Sequence, residues 1–259
     1  MQPELSEIIH WATHAGNLLA EAFEHPHQVK LKSVANLVTE MDRLSEQYLL
    51  EQIRSKYPAH AIVTEESGFL SGEMERCWYI DPLDGTTNYA HGIPFFAVSI
   101  AYAENGVMRL GVVYDPMQRE CFAAERGRGA TLNYRPIHVS DVESLENSLL
   151  ATSFPNHLLS TEKNNLDHFF AFMYCTHGVR RIGSAALDLC YTAAGRLDGY
   201  WDQSLAAWDV AAAALILEEA GGVVTDFDGG PDYMKPPYAL VASTPALHPL
   251  MLEKLHPRR

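Results

Sequence analysis

Carboxylates recur in three short segments, Glu65-Glu66, Asp81-Pro-Leu-Asp84 and Trp208-Asp209. Each segment closes an apolar run or opens a helical pattern. Side chains at strand exits converge in space more readily than their sequence spacing suggests. Three or four carboxylates facing one another repel strongly unless hard cations sit between them. Oxygen donors without a thiolate or histidine cluster favour magnesium or manganese over zinc. Asp81-Pro-Leu-Asp-Gly-Thr-Thr87 carries the most chemistry. Pro82 stiffens a turn that points Asp81 and Asp84 to one side and exposes the Leu83 carbonyl as a further oxygen. Gly85 permits tight backbone approach, and Gly85-Thr86-Thr87 opens a helix whose free N–H groups suit a phosphate. Cations beside a helix N-terminus describe a site for phosphoryl transfer. A lone D-P-x-D-G is more simply an Asx-rich turn capping a helix. The five specified positions of D-P-x-D-G-T, however, recur by chance in about one chain in ten thousand of this length, and here E-E-S precedes them and W-D follows.

The elements that must position these groups show in the hydrophobic pattern. Residues 4–24 place Leu5, Ile8, Ile9, Ala12, Leu18, Leu19, Ala22 and Phe23 on one helical stripe. An extended piece, Val29–Ser33, leads to a second helix that opens at Thr39-x-x-Asp42, a capping box, and stops at Pro58. Short strands follow at Ala61–Thr64 and Cys77–Ile80. Phe95–Ala103 and Val107–Tyr114 flank Asn105-Gly106, a hairpin signal, and Glu120–Glu125 extends the meander. The first half therefore predicts a helix pair on an antiparallel sheet. In the second half strands at Leu149–Phe154, Val179–Ile182, Leu197–Trp201, Val223–Asp226 and Tyr238–Ala242 alternate with helices at Leu166–Tyr174, Ser184–Ala194 and Trp208–Ala220 and a closing helix, an α/β pattern. The halves, residues 1–140 and 141–259, meet at a soft composition shift near Arg135–Asn147, so they are expected to pack as one unit.

The chain has 259 residues, with 19 Lys and Arg against 33 Asp and Glu and a formal charge of −14. That length builds a real core, and 47% hydrophobic residues exclude disorder. The acidic balance argues against nucleic-acid binding, which needs a basic stripe, and against docking on anionic lipid. No run reaches the ~20 apolar residues of a membrane span, and the acidic Met1-Gln-Pro-Glu4 lacks the features of a signal peptide. Cys77, Cys121, Cys175 and Cys190 show no metal spacing and read as reduced thiols of a cytoplasmic protein. The twelve histidines, among them His10, His14, His25 and His27, are dispersed and read as structural.

Val38-Thr-Glu-Met-Asp42, Thr64-Glu-Glu-Ser67, Asp81-Pro-Leu-Asp-Gly-Thr-Thr-Asn88, Gly183-Ser-Ala185 and Trp208-Asp-Val-Ala211 with Glu219-Ala-Gly-Gly222 resemble the motifs of the inositol monophosphatase family in order and spacing. The resemblance runs from about residue 5 to residue 250 and is specific for the superfamily, less so for substrate. It implies a layered α-β-α-β-α sandwich with the site where the halves meet. It further implies a homodimer, sensitivity to lithium, and up to three Mg2+ ions, with Mn2+ as a substitute. By this resemblance Glu65, Asp81 and the Leu83 carbonyl hold a first ion. Asp81, Asp84 and Asp209 hold a second, Glu65 reaches a third, and Glu66 lies behind the ligands. Asp42 accepts a hydrogen bond from Thr86, which orients the attacking water. Thr86 and Gly85 also bind substrate. Gly183, Ser184 and Ala185 would line the alcohol, and Asp202 falls where the family usually carries a glutamate that bonds a ring hydroxyl. Lys32 is either a lysine near the site or a solvated one. Arg180 and Arg181 either pair acids at an interface or end a strand in solvent.

The reaction so implied is hydrolysis of inositol monophosphate, or a similar small phosphorylated polyol or sugar, by direct attack of water. Fructose-1,6-bisphosphatase, histidinol-phosphatase and 3′-phosphonucleotide phosphatase activities are alternatives within the superfamily. A haloacid-dehalogenase-type site is excluded, because it needs an Asp-x-Asp pair and Asp81 and Asp84 are three apart. The rival of another class is a macromolecule-binding, transcription-associated protein that retains a phosphatase site.

Overall fold

Apolar residues follow one another almost without alternation in the longest strands, so both faces of the sheet they build must be covered. The computed structural model describes residues 2–23, 29–33, 36–154 and 165–256; the side chain of Lys32, and His25 and His27, fall outside these. In the first half α1 (Leu5–Phe23), β1 (Val29–Ser33), β2 (Asn36–Thr39) and α2 (Glu40–Lys56) precede β3 (His60–Thr64), β4 (Gly68–Leu70) and β5 (Glu73–Asp84). A short α3 (Thr86–Ala90) leads to β6 (Ala97–Glu104), β7 (Val107–Asp115), β8 (Glu120–Glu125), β9 (Ala130–Leu132) and β10 (Arg135–Pro136). The second half comprises β11 (Leu149–Thr152), α4 (Leu166–Met173), β12 (Gly178–Arg180), α5 (Ala185–Ala193), β13 (Gly199–Asp202), α6 (Ala207–Glu219), β14 (Val223–Asp226), β15 (Leu240–Ser243) and α7 (His248–Leu255).

An eight-stranded sheet runs β10-β9-β8-β7-β6-β5-β3-β4, and a five-stranded sheet runs β12-β11-β13-β15-β14. On one face of the larger sheet Trp78, Ile80, Ile100 and Val112 pack against Ile8, Trp11 and Leu19 of α1 and Leu49 and Ile53 of α2. On its other face Ala97, Ala101 and Val113 meet Leu187 of α5 and Ala211 and Leu215 of α6. Tyr200, Leu240 and Ala242 of the smaller sheet join this same core. Beyond that sheet Leu150, Trp201 and Val241 pack with Phe172 of α4 and Met251 and Leu255 of α7. The layers are therefore α-β-α-β-α.

The apolar stretch Val210–Leu217 lies in α6, buried on every side between the two sheets. Its approach is close: a Cβ on Gly111 of β7 would stand 2.8 Å from the Ala212 carbonyl oxygen. Among the described residues no helix is long and apolar enough to cross a membrane.

Two expectations need correction. The first-half sheet is mixed, because β3 and β5 pair in parallel. The chain turns back twice, through β4, before β5 joins the free edge of β3, and strands buried on both faces carry no sequence mark of their direction. The acidic segment also does not follow the strand as a turn. β5 runs through Asp81-Pro-Leu-Asp84, and its register against β6 shifts between Asp81 and Asp84. Such a bulge re-aims side chains, and Pro82 fits there because no ladder N–H is needed.

Asp115, at the end of β7, is fully buried. Its Oδ1 accepts the N–H groups of Met117 (2.9 Å) and Gln118 (3.0 Å), and Oδ2 has no partner among the described residues. Burial pushes this carboxyl up to about 6. The folded chain therefore holds a proton that the unfolded chain releases near pH 4, and the stability this contributes is lost as pH rises through about 6. Asp115→Asn keeps the Oδ1 acceptor and removes the charge. It should stabilise the protein by about 1–2 kcal/mol at pH 8 and by little at pH 4.5, as read by thermal denaturation at both.

Candidate functional site

The N-terminus of α2 is built as its sequence indicates. The Thr39 hydroxyl accepts the Met41 N–H at 3.2 Å, and the Thr39 N–H donates to Asp42 Oδ2 at 2.7 Å. The Thr39 hydroxyl also lies 2.6 Å from that oxygen as a donor. Asp42 has a second contact: the Thr86 hydroxyl donates toward its Oδ1 at 3.1 Å. Capping and the link to Thr86 therefore coexist in one carboxylate, one oxygen for each. The Leu83 carbonyl is also 3.0 Å from the Thr86 hydroxyl. One proton thus faces two acceptors. Burial raises the Asp42 carboxyl, bonds from Thr39 and Thr86 oppose this, and Glu66 adds to the rise.

Glu65, Asp81, Asp84 and Asp209 come from separate elements. Glu65 is half-buried after β3, Asp81 and Asp84 are buried in the bulge of β5, and Asp209 is half-buried in the first turn of α6. They stand close enough for their charges to interact. Burial pushes the Asp81 carboxyl well above the carboxylate range, with Glu65, Asp84 and Asp209 pushing the same way. Asp209 is likewise raised well above that range, first by burial and then by Asp84. Asp84 is raised less far, because donors from α5 oppose its burial.

Each aspartate is held by a backbone donor. The Leu83 N–H donates to Asp81 Oδ1 at 3.0 Å, and the Ala206 N–H donates to Asp209 Oδ2 at 2.7 Å. Asp84 Oδ2 accepts the Ser184 hydroxyl at 2.5 Å and the Ala186 N–H at 2.8 Å. Among the described residues no three His, Cys, Asp or Glu side chains form a ready-made metal cage. The case for a cation therefore rests on donor chemistry: oxygen groups only, mutually repelling. The donor set fits a hard divalent ion.

Gly85, at φ +92°, caps the short α3, and a Cβ there would stand 3.0 Å from the Phe95 carbonyl oxygen. Asn88, the last residue of that motif, donates to the carbonyls of Phe95 and Ile182, both at 2.9 Å. It ties the first half to the approach to α5.

On the substrate side, Ser184 and Asp202 are engaged within the fold. Ser184 caps α5, with the Leu187 N–H 3.3 Å from its Oγ. That hydroxyl and the Ala186 N–H are both committed to Asp84, which occupies this helix terminus. Gly183 is exposed and Ala185 half-buried beside it. Asp202 faces inward. It is 0% exposed, its Oδ2 accepts the hydroxyls of Ser153 and of Tyr200 (2.9 Å), and Oδ1 accepts the Ser204 N–H at 2.8 Å. Donors from β13 and its neighbours thus bond both oxygens and turn this carboxylate inward. Arg180 and Arg181 are exposed, with Arg181 5.9 Å from the centre of the Phe154 ring.

Three further polar residues surround the cluster. Ser45 and Glu46 of α2 hold backbone and side-chain groups of the acidic segments. Asp188 of α5 is buried with Oδ1 unpartnered among the described residues, and burial, Asp84 and Asp202 all raise its carboxyl. The spacing Asp42, Ser45, Glu46 on one helix face was a usable signal for the first two. Asp188 carried none.

A family model described as the inositol monophosphatase family matches residues 1–258. The chain is 43% identical over 258 residues to Nus factor SuhB of Pseudomonas aeruginosa, covering 97% of this chain and 95% of that one. It is 49% identical over 198 residues to inositol-1-monophosphatase of Synechocystis, covering 76% and 69%. It superposes on the crystal structure of extragenic suppressor protein suhB from Bartonella henselae with a TM-score of 0.91 and 38% identity, covering 97% and 98%.

Because Asp81, Asp84 and Asp209 hold protons more tightly in the folded chain than in the unfolded one, their contribution to stability is lost as pH rises past the ordinary carboxylate range. A divalent cation bound among them would replace those protons. Millimolar Mg2+ should therefore raise the melting temperature more at pH 8 than at pH 5. The gain at 100 times Kd is about 2.7 kcal/mol. Scanning calorimetry that shows equal shifts at both pH values would contradict the assignment.

Proposed function

The chain belongs to the inositol monophosphatase family, and on that premise we propose that it is a divalent-cation-dependent phosphate monoester hydrolase. Its substrate is inositol monophosphate or a similar small polyol or sugar phosphate. The observation that carries this reading is the cluster of Glu65, Asp81, Asp84 and Asp209, drawn from separate elements so closely that the other three raise the Asp81 carboxyl and Asp84 and Glu65 raise that of Asp209. In this reading residues 1–140 contribute most cation ligands, and residues 141–259 contribute Asp209 and the substrate contacts.

Glu65, Asp81, the Leu83 carbonyl, Asp84 and Asp209 would hold Mg2+, up to three ions, with Mn2+ able to substitute. When bound, the ions supply positive charge to the phosphate and leaving oxygen and make water more acidic. The chain's own residues do the rest. Their anchored oxygens fix the plane of Asp81 and Asp209, leaving the opposite oxygens for a cation. Asp42 draws the proton of the Thr86 hydroxyl toward itself, so the Thr86 lone pairs accept a hydrogen bond from water and orient it for in-line attack. Thr86 is thereby a positioning group rather than a base: a hydroxyl at its own pKa cannot take a proton near neutrality. Glu66 acts on Asp42 through its charge. The inward turn of Asp202 leaves selection of the alcohol to groups around Gly183 and Ala185, which widens the range of polyols the site accepts.

A second reading has its own observation, the relatives named Nus factor SuhB, here at 43% identity over nearly the whole chain. A transcription-associated binding role would then accompany a retained phosphatase site. Binding to purified transcription complexes by Asp84→Asn at wild-type affinity would support it, since such a contact does not need the cations. The homodimer is part of the proposal too, and sedimentation that shows only a 28.9 kDa species would contradict that part.

The main reading predicts Mg2+-dependent phosphate release from inositol 1-phosphate, abolished by chelation and inhibited by lithium. Asp84→Asn and Asp209→Asn should lower kcat by at least about a thousandfold, roughly 4 kcal/mol in the barrier, with folded-state circular dichroism unchanged. A kcat/KM panel that includes fructose 1,6-bisphosphate, histidinol phosphate and adenosine 3′,5′-bisphosphate ranks the alternatives. Wild-type turnover by either variant would contradict the ligand assignment.

A further inference from the structure

One turn of α2 holds three separate parts of the site. Asp42 reaches Thr86, Ser45 reaches the bulge of β5, and Glu46 reaches the segment after β3. The Ser45 hydroxyl, fully buried, donates to the Pro82 carbonyl at 2.8 Å, between Asp81 and Leu83. Glu46 is buried with 5% exposure. Its Oε1 accepts three donors: the Thr64 hydroxyl at 2.6 Å, the Ser67 N–H at 3.1 Å and the Glu66 N–H at 3.2 Å. Its Oε2 accepts the Ser67 hydroxyl at 2.6 Å. Residues on both sides of Glu65 are thus tied to one carboxylate.

A buried acid beside Glu65 and Glu66 adds like charge to a region already rich in it. Burial of that kind is tolerated only where donors compensate it, and four do. A leucine here would leave the Glu66 and Ser67 N–H groups and two hydroxyls without their acceptor. None of these donors carries a catalytic role in the mechanism above, so neither does Glu46.

From this geometry we infer that Glu46, with Ser45 beside it, is a positioning residue that sets the distance between the Glu65 carboxylate and the Asp81–Asp84 bulge. The α-helix is a stiff ruler, with a rise of about 1.5 Å per residue. Two adjacent residues on it therefore fix two segments of the site relative to each other. Glu46 acts through Glu65, on cation affinity first and on turnover second. The inference rests on the reading of these carboxylates as cation ligands.

The test is Mg2+ binding by titration calorimetry on the full chain without substrate, for wild type, Glu46→Ala and Glu46→Gln. Glutamine retains an acceptor for Thr64, Glu66 and Ser67, and its amide can donate to the Ser67 hydroxyl. Loss of a group that orients a metal ligand weakens affinity by about 10–100-fold. Glu46→Ala should fall in that range, with Glu46→Gln within about threefold of wild type. Should Glu46→Ala fail to fold, Thr64→Val removes one donor from Glu46 without touching the carboxylate and should weaken Mg2+ measurably. Wild-type affinity in Glu46→Ala, or in Thr64→Val where that variant stands in, overturns the inference. A Glu46→Gln loss as large as that of Glu46→Ala also overturns it, because charge rather than hydrogen-bond geometry would then matter. A wild-type chain that binds no divalent ion would overturn the cation reading and this inference together.

Discussion

Four carboxylates, Glu65, Asp81, Asp84 and Asp209, repel one another inside the fold, and much of the structure around them exists to hold them there. Each aspartate is pinned by a hydrogen bond that a solvent-facing carboxylate would not need. The pin on Asp84 comes from the first turn of α5, where unpaired N–H groups and the helix dipole favour negative charge, and the pin on Asp209 comes from Ala206, the residue that caps α6. A helix terminus lowers the cost of one carboxylate but does not remove the repulsion among several. The remainder must be met by protons or by cations, and the raised carboxyls of Asp81 and Asp209 are the protonated form of that same requirement.

Long-range packing sets the geometry. Asp209 reaches the bulge of β5 because α6 lies directly on the larger sheet, an approach that Gly111 permits opposite Ala212. Ser184 reaches Asp84 across 100 residues of sequence, and Asn88 reaches Ile182 across 94. These bonds join the two halves at the site itself. The site is therefore a property of the packed layers rather than of any one motif, and a change that loosened the α5 terminus would be felt at Asp84.

The motifs were legible because the chemistry requires particular residue types at close spacing. Thr39-x-x-Asp42 forms its box, and Asp81, Asp84 and Asp209 meet despite a separation of 125 residues between the last two. The α-β-α-β-α layering followed from the resemblance, while the hydrophobic pattern itself yielded the helix pair of the first half, the hairpin at Asn105-Gly106 and the alternating strands and helices of the second half. Strand direction between β3 and β5 was not legible, since both are buried on both faces. The orientation of Asp202 was not legible either: whether a carboxylate faces solvent or Ser153, Tyr200 and Ser204 depends on partners far away in sequence or adjacent only in space. Ser45 and Glu46 share the helix face of Asp42, a spacing that could mark them in the sequence, but only the packed structure shows what they hold.

The central claim is that the clustered carboxylates form a site for divalent cations. Electron paramagnetic resonance of Mn2+ tests it without reference to any substrate, because the free hydrated ion gives a six-line spectrum that binding to protein attenuates. Titrating Mn2+ into the wild-type chain at pH 8 should suppress the free-ion signal until the site fills, and Asp81→Asn should restore most of it while the fold persists. A wild-type chain that left the free Mn2+ spectrum at full amplitude would contradict the account.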